Sequence, residues 1–295
     1  MPLFDRYIAV DWSAANSPRT GRDSIWIGEW SAAGLAESIN PPTRHAAMAE
    51  ITDRLLAARA AGERLMLGLD FVFGYPAGAA EMIAGGPDWQ ALWAHLATAV
   101  VDNPDNTSNR FHVAAAINAS LAAPHYWGHP HQHRYDHLTP RRPATYGTIP
   151  ERRRAEILAR TAQPVWKLTG AGAVGSQSLL GIARLEALRH HPILGPDIAI
   201  WPFETDFTDA LTRPIAIVEI YPSLFPLDDP SVTPKDRAQV ETVVRRFAAL
   251  DAAGDLATFL GAPAGIDATE RETLIREEGW IAGIGHGHLI ERRAA

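Results

Sequence analysis

The 295-residue sequence contains no cysteine. Disulfides, thiolate zinc sites, iron–sulfur clusters and cysteine nucleophiles are therefore excluded. No apolar run approaches the ~20 residues of a membrane-spanning helix, and there is no internal repeat or low-complexity tract. The opening Met-Pro-Leu-Phe-Asp-Arg passes straight into a strand-like segment, without the pattern of a secretory leader. A cytoplasmic protein with no membrane association is the expectation. Hydrophobic residues at 46% and charged residues at 21% are those of an ordinary globular chain. The length suffices to bury roughly three quarters of the unfolded surface. A net charge of −7 argues against a general nucleic-acid coat.

That charge is unevenly spread. Between Arg110 and Lys167 there are nine Lys or Arg against three Asp or Glu, so the rest of the chain carries 18 basic and 31 acidic residues. A basic segment in an acidic protein reads either as an anion site or as a solvated face.

Arg6–Asp11 (RYIAVD) reads as a strand, Ser24–Trp30 (SIWIGEW) alternates like a second, and a third lies near Leu35–Ile39. Asn40-Pro41-Pro42 breaks the chain, and Thr43 caps a helix to about Ala61, with Met48, Ile51, Leu55 and Leu56 at helical spacing. Leu65–Phe71 (LMLGLDF) is a nearly continuous apolar run, as in a strand buried on both faces. Residues from about 76 to 164 read as a helical, loop-rich insert, and the whole chain as one domain. Val165–Leu168, Ile198–Phe203 and Ile215–Tyr221 return to strand character, and helices are predicted over Lys235–Ala253 and Thr269–Ile284. The fold class is α/β: a mixed sheet of three antiparallel strands followed by parallel ones, flanked by helices.

The acids sit where strands should be. Asp11 ends the first strand, Asp70 lies in the fourth, and Glu219 interrupts the run IAIVEI. A carboxylate in an apolar strand is costly unless it is paired or meets a cation. Each alone also reads as a cap, a turn partner or a salt bridge. Converging at one sheet edge, the three would suit Mg²⁺ or Mn²⁺, the ions that activate water and steady the leaving oxygen in phosphodiester cleavage. Glu278 falls within an apolar helical stripe and is the fourth acid of this reading, with Glu277 as its rival.

The segments VDWSAA at Val10–Ala15, GLDFVFGYPAG at Gly68–Gly78 and VEIYPS at Val218–Ser223 resemble the family of predicted nucleases known as domain of unknown function 429. The resemblance implies an RNase H-like fold and acidic site residues Asp11, Asp70 and Glu219, the three expected to hold metal. Family members often close on an Asp-rich helix, where this chain has Glu277-Glu278-Gly279-Trp280.

Gly170, Gly172 and Gly175 spell G-x-G-x-x-G before a predicted helix from Ser176 to about His190. A dinucleotide fingerprint, with Glu204 on the ribose, is one reading. Phosphate held on backbone N–H groups, with Lys167, Ser176 and Gln177 as further donors, is a second, and a turn needing close packing is a third. His125, His129, His131, His133 and His137 suit either a transition-metal clamp or exposed, mobile side chains. As a lid they would bring Arg110, Arg141, Arg142 and Arg152–Arg154 onto a polyanionic substrate. Ser13 shapes the turn after Asp11 or contacts a phosphate or a metal-bound water.

The expected activity is metal-dependent phosphodiester hydrolysis, nuclease-like, on a phosphorylated small molecule or short nucleic acid. Asp11, Asp70, Glu219 and Glu278 are its catalytic acids, and Ser13, Arg110, Lys167, the three glycines, Ser176 and Gln177 contact substrate. The alternatives are a nucleotide-binding enzyme, either kinase-like or related to molybdopterin guanine dinucleotide, and a non-catalytic binding protein.

Overall fold

A computed structural model describes residues 2–208 and 213–291. Its centre is one six-stranded mixed sheet of β1 (Arg6–Asp11), β2 (Trp26–Ser31), β3 (Gly34–Leu35), β4 (Leu65–Leu69), β5 (Ile198–Ile200) and β6 (Ile215–Glu219), in the order β3-β2-β1-β4-β6-β5. Strands β1 to β3 pair antiparallel, and β4 runs parallel to β1. Strand β6 is parallel to both β4 and β5. The predicted mixed α/β architecture is present.

Alternation within the strands divides the core into two faces. Ile8, Val10, Leu65, Leu67, Leu69, Ile215 and Ile217 belong to one apolar cluster, and Tyr7, Ala9, Met66, Ala216 and Val218 to the other. The first face is covered by α1 (Arg44–Ala61), by α2 (Ala79–Ala84), α3 (Trp89–Ala99) and α4 (Arg110–Ser120) of the insert, and, beyond the short α5 (Arg154–Leu158), by α6 (Val174–Arg189). The second is covered by α7 (Lys235–Ala252), through Val240, Val243, Val244, Phe247 and Leu250, with α8 (Leu256–Phe259) and the C-terminal segments. Thr43 accepts the amide of Ala46 and caps α1 as expected.

Several predicted elements are shorter than their patterns. The third strand stops at Leu35, and Ile39 makes only an isolated bridge to Ile27. Strand β5 ends at Ile200, where Pro202 follows with no N–H for a ladder. Val165–Leu168 is outside the sheet; it is a turn bridged to Trp127, with the Lys167 amide donating to the Pro164 carbonyl. The last predicted helix is α9 (Ala268–Thr273) plus one π turn, Leu274–Glu278, and it ends because Gly279 turns to φ 64°. A separate α10 (Gly287–Ile290) follows. Among the described residues, no helix is long and apolar enough to cross a membrane.

The loop after β4 lies directly against the π turn. The Tyr75 amide donates to the Glu277 carbonyl, and a Cβ at Gly74 would overlap the Glu278 carbonyl oxygen. Gly74→Ala is therefore expected to force these segments apart and destabilise the protein by about 1–3 kcal/mol, read as a lower urea midpoint at unchanged m-value. An unchanged midpoint would show that the contact yields freely.

Candidate functional site

Parallel pairing sets Val10 opposite Leu69, and the Asp70 amide donates to the Val10 carbonyl at 3.0 Å. Asp11 and Asp70 therefore leave the carboxyl ends of neighbouring strands side by side. In the next strand, Leu69 pairs with Glu219. All three acids line one cavity of about 660 Å³, which Glu156, Gln163, Gly172, Gln177, Lys235 and Asp236 also help to wall. The sheet edge thus brings together the three strand acids that the sequence singled out.

Their environments differ. Glu219 is buried, and both of its oxygens are taken by Arg153: Nη2 donates to Oε1 at 2.6 Å and Nη1 to Oε2 at 2.9 Å, with the Phe73 amide also on Oε2 at 2.8 Å. Arg153 is fully buried, and its Nε donates to Glu156 Oε1 at 2.7 Å. Burial pushes the Glu219 carboxyl up and Arg153 pulls it back, leaving it above its ordinary value. In this structure Glu219 is an ion-pair member engaged through both oxygens, so a metal would have to share them with Arg153.

Asp11 and Asp70 have no such support. Among the described residues, neither carboxylate accepts a hydrogen bond or joins an ion pair, although both are only partly exposed. Burial, and secondarily Glu219, pushes the Asp70 carboxyl up to about 7. Burial raises Asp11 well above its usual range. Asp70, Asp236 and Asp23 add to that rise, and Lys235 opposes it. Asp236 in turn accepts the Asp23 amide at 2.7 Å. Burial first, and neighbouring carboxylates second, produce this pattern.

Glu278 is placed elsewhere. Its Oε1 accepts the Ala77 amide at 3.1 Å and its Oε2 the Arg154 amide at 2.7 Å, so it clasps the β4 loop to the start of α5 and does not line the cavity. Glu277 accepts the Gly78 amide at 2.8 Å and ties the π turn to the β4 loop alone. The apolar neighbours that marked Glu278, Leu274, Ile275, Ile281 and Ala282, pack into the core of the second face.

The glycine loop borders Asp11 without preceding a dinucleotide half. Gly170 and Gly172 line a second cavity of about 480 Å³, with Asp11, Ser13, Arg110, Ser176 and Gln177. Gly175 is buried packing: a Cβ there would overlap the Val165 carbonyl. Lys167 lines neither cavity, because its ammonium is spent on the Ala171 carbonyl at 2.6 Å and holds the loop. Gln177 donates to the Trp12 carbonyl, and Ser13 Oγ accepts the Ala15 amide. Glu204 accepts the Ile200 amide and faces Arg213, so it belongs to the end of β5.

Of the basic segment, Arg153 holds Glu219 and Arg110 lines the second cavity with Asp11, while other arginines are engaged elsewhere. Arg142 pairs with Glu151, Arg154 with Glu270, and Arg152 donates to backbone carbonyls. His125 is buried against the Ala123 and Ile149 carbonyls, while His131, His133 and His137 are exposed. Among the described residues, no group of three or more His, Asp or Glu is placed to hold a metal ion. Sequence reasoning missed Asp23, Asp236, Lys235, Gln163 and Glu156. They sit in turns, at helix starts or among polar neighbours, where a charge attracts no notice.

Two measurements test these electrostatics. A carboxyl raised in the folded state contributes stability below its unfolded value near 4 and loses it as pH rises through about 7. Metal-free Asp70→Asn should therefore gain in Tm over the wild type by a few degrees between pH 5 and 8; a difference independent of pH would contradict the raised value. Arg153→Met leaves two buried carboxylates without their cation and should cost about 3–5 kcal/mol. Adding Glu219→Gln should restore part of that loss in urea unfolding, and purely additive losses would deny the coupling.

In the comparisons with known proteins, no family model matches this chain, and no curated protein or solved structure does so either.

Proposed function

We propose that this chain is a divalent-metal-dependent phosphodiester hydrolase on an RNase H-like scaffold, acting on a phosphorylated small molecule or a short nucleic acid. One observation carries the reading. Asp11 and Asp70 stand at adjacent strand ends in a cavity, unpaired and mutually repelling. The scaffold assignment is supported by an antiparallel β1–β2–β3 ribbon continued by parallel β4 and β6, with acids where three of these strands end.

Hard oxygen donors suit Mg²⁺ or Mn²⁺. Mg²⁺ is commonly held by one or two carboxylates plus waters and substrate phosphates, without a closed protein cage. Asp11 and Asp70 fit that sparse donor set and would hold the ion. When bound, it supplies Lewis-acid polarisation of the phosphoryl oxygens and activation of water. The chain's own residues do the rest. Glu219, immobilised by Arg153, keeps a negative field beside Asp70 and so reserves the position for a cation. Lys235, Gln163 and Gln177 line the wall where phosphate oxygens would lie. A cavity of this volume suits a small ligand, and the acidic net charge disfavours a long duplex.

The unpaired state of Asp11 and Asp70 speaks against a binding module whose acids serve only as structural ion pairs. Kinase-like phosphoryl transfer is the second reading, favoured by the glycine turn that borders Asp11. ATP consumption without phosphodiester cleavage would select it.

Calorimetric titration with Mn²⁺, paired with hydrolysis of bis(p-nitrophenyl) phosphate, tests the main reading. Asp11→Asn and Asp70→Asn should each lose Mn²⁺ binding and reduce turnover by about a hundredfold or more while remaining folded by circular dichroism. Wild-type Mn²⁺ affinity in both variants, or turnover unaffected by chelator, would overturn it.

A further inference from the structure

We infer that the second cavity is a phosphate-anchoring subsite built on Arg110, and that the substrate carries a terminal phosphate in addition to the bond being cleaved. The substrate role rests on the hydrolase reading; the anion site stands on its own geometry. Arg110 opens α4 and is only 7% exposed. A guanidinium so buried ordinarily faces a carboxylate, yet every hydrogen-bond partner it has is neutral. Its Nε donates to Ser176 Oγ at 3.1 Å, and its Nη1 to Asn16 Oδ1 at 2.9 Å and Ser108 Oγ at 2.8 Å. Its Nη2 makes no hydrogen bond among the described residues.

Asp102, whose charge reaches Arg110 through space, is already gripped by Arg44 and Arg184. The Phe111 ring lies 4.5 Å from the guanidinium carbon and supplies contact without charge. Burial and the nearby Arg44 lower the Arg110 pKa to about 10, so it stays cationic at neutral pH. The cost of this isolated cation is offset if an anion enters the cavity that Arg110 lines.

That cavity has the parts an oxyanion needs. Its wall includes Gly170–Ala173 and the first turn of α6. The amides of Gly170, Ala171 and Gly172 donate to no backbone carbonyl among the described residues. No side chain caps the N-terminus of α6, where the helix dipole favours negative charge. Ser176 fixes the fork, accepting from Arg110 while donating to the Leu168 carbonyl at 2.7 Å. The acids in the same wall, Asp11, Asp23 and Asp236, repel an anion at their end and confine it to the Arg110 end. Asp11 borders both cavities, which places an anchored phosphate next to the cleavage site.

Inorganic phosphate is the probe. In chelator-treated protein, phosphate at constant ionic strength should raise Tm by several degrees where chloride does not. Arg110→Lys keeps the charge but loses the planar fork, and Arg110→Gln loses both; each should bind phosphate at least about tenfold more weakly. Both should still bind Mn²⁺ as the wild type does, and that separates this proposal from the hydrolase reading. A diester substrate with a terminal phosphate should be preferred over its dephosphorylated form by about tenfold in kcat/KM, and Arg110→Lys should abolish the preference. If Arg110→Gln fails to fold, Arg110→Lys alone decides. No phosphate effect in the wild type, or an equal effect in folded Arg110→Lys, would overturn the subsite whatever Mn²⁺ does.

Discussion

Two carboxylates held together, largely out of water and without a cation, are the constraint around which this molecule is arranged. Asp11 and Asp70 are forced into adjacency by the parallel pairing of β1 and β4. The strands cannot separate them, because their flanking residues are anchored in cores on both faces of the sheet. Mutual repulsion and desolvation are thus paid for by packing elsewhere, as is common where a fold supports a site. The same repulsion makes a divalent ion the natural occupant. One edge of a sheet therefore both stores an electrostatic cost and defines what would relieve it.

The neighbouring arginines divide the labour. Arg153 buries itself between Glu156 and Glu219 and makes the third strand acid a rigid, ion-paired wall. Arg110, also buried, has no acid among its hydrogen-bond partners. One guanidinium is committed to the fold and the other is left with a hydrogen-bonding edge to offer. Residues in which sequence alone sees the same basic character thus have opposite uses, and only their long-range partners distinguish them.

Much of the frame was legible because it rests on local pattern. Alternation and apolar runs marked β1, β2, β4 and β6, and the Thr43 cap marked α1. The strand acids stood out because a charge inside IAVD or IAIVEI conflicts with its neighbours. Roles set by distant partners were not legible. Glu278 shared the apolar company of a site residue, yet its oxygens serve amides some 200 residues away at Ala77 and 124 away at Arg154. Lys167 preceded the glycine loop like a phosphate ligand but turns back onto the loop's own carbonyl. Asp236 and Lys235 escaped notice because charges at the start of an amphipathic helix are ordinary.

The central claim is that Asp11 and Asp70 share one cation. Anomalous diffraction from a crystal soaked in Mn²⁺ tests it most directly. A peak within coordinating distance of both carboxylates, with Glu219 still on Arg153, is the predicted result. A fully occupied Mn²⁺ elsewhere, with these two side chains unchanged, would contradict it.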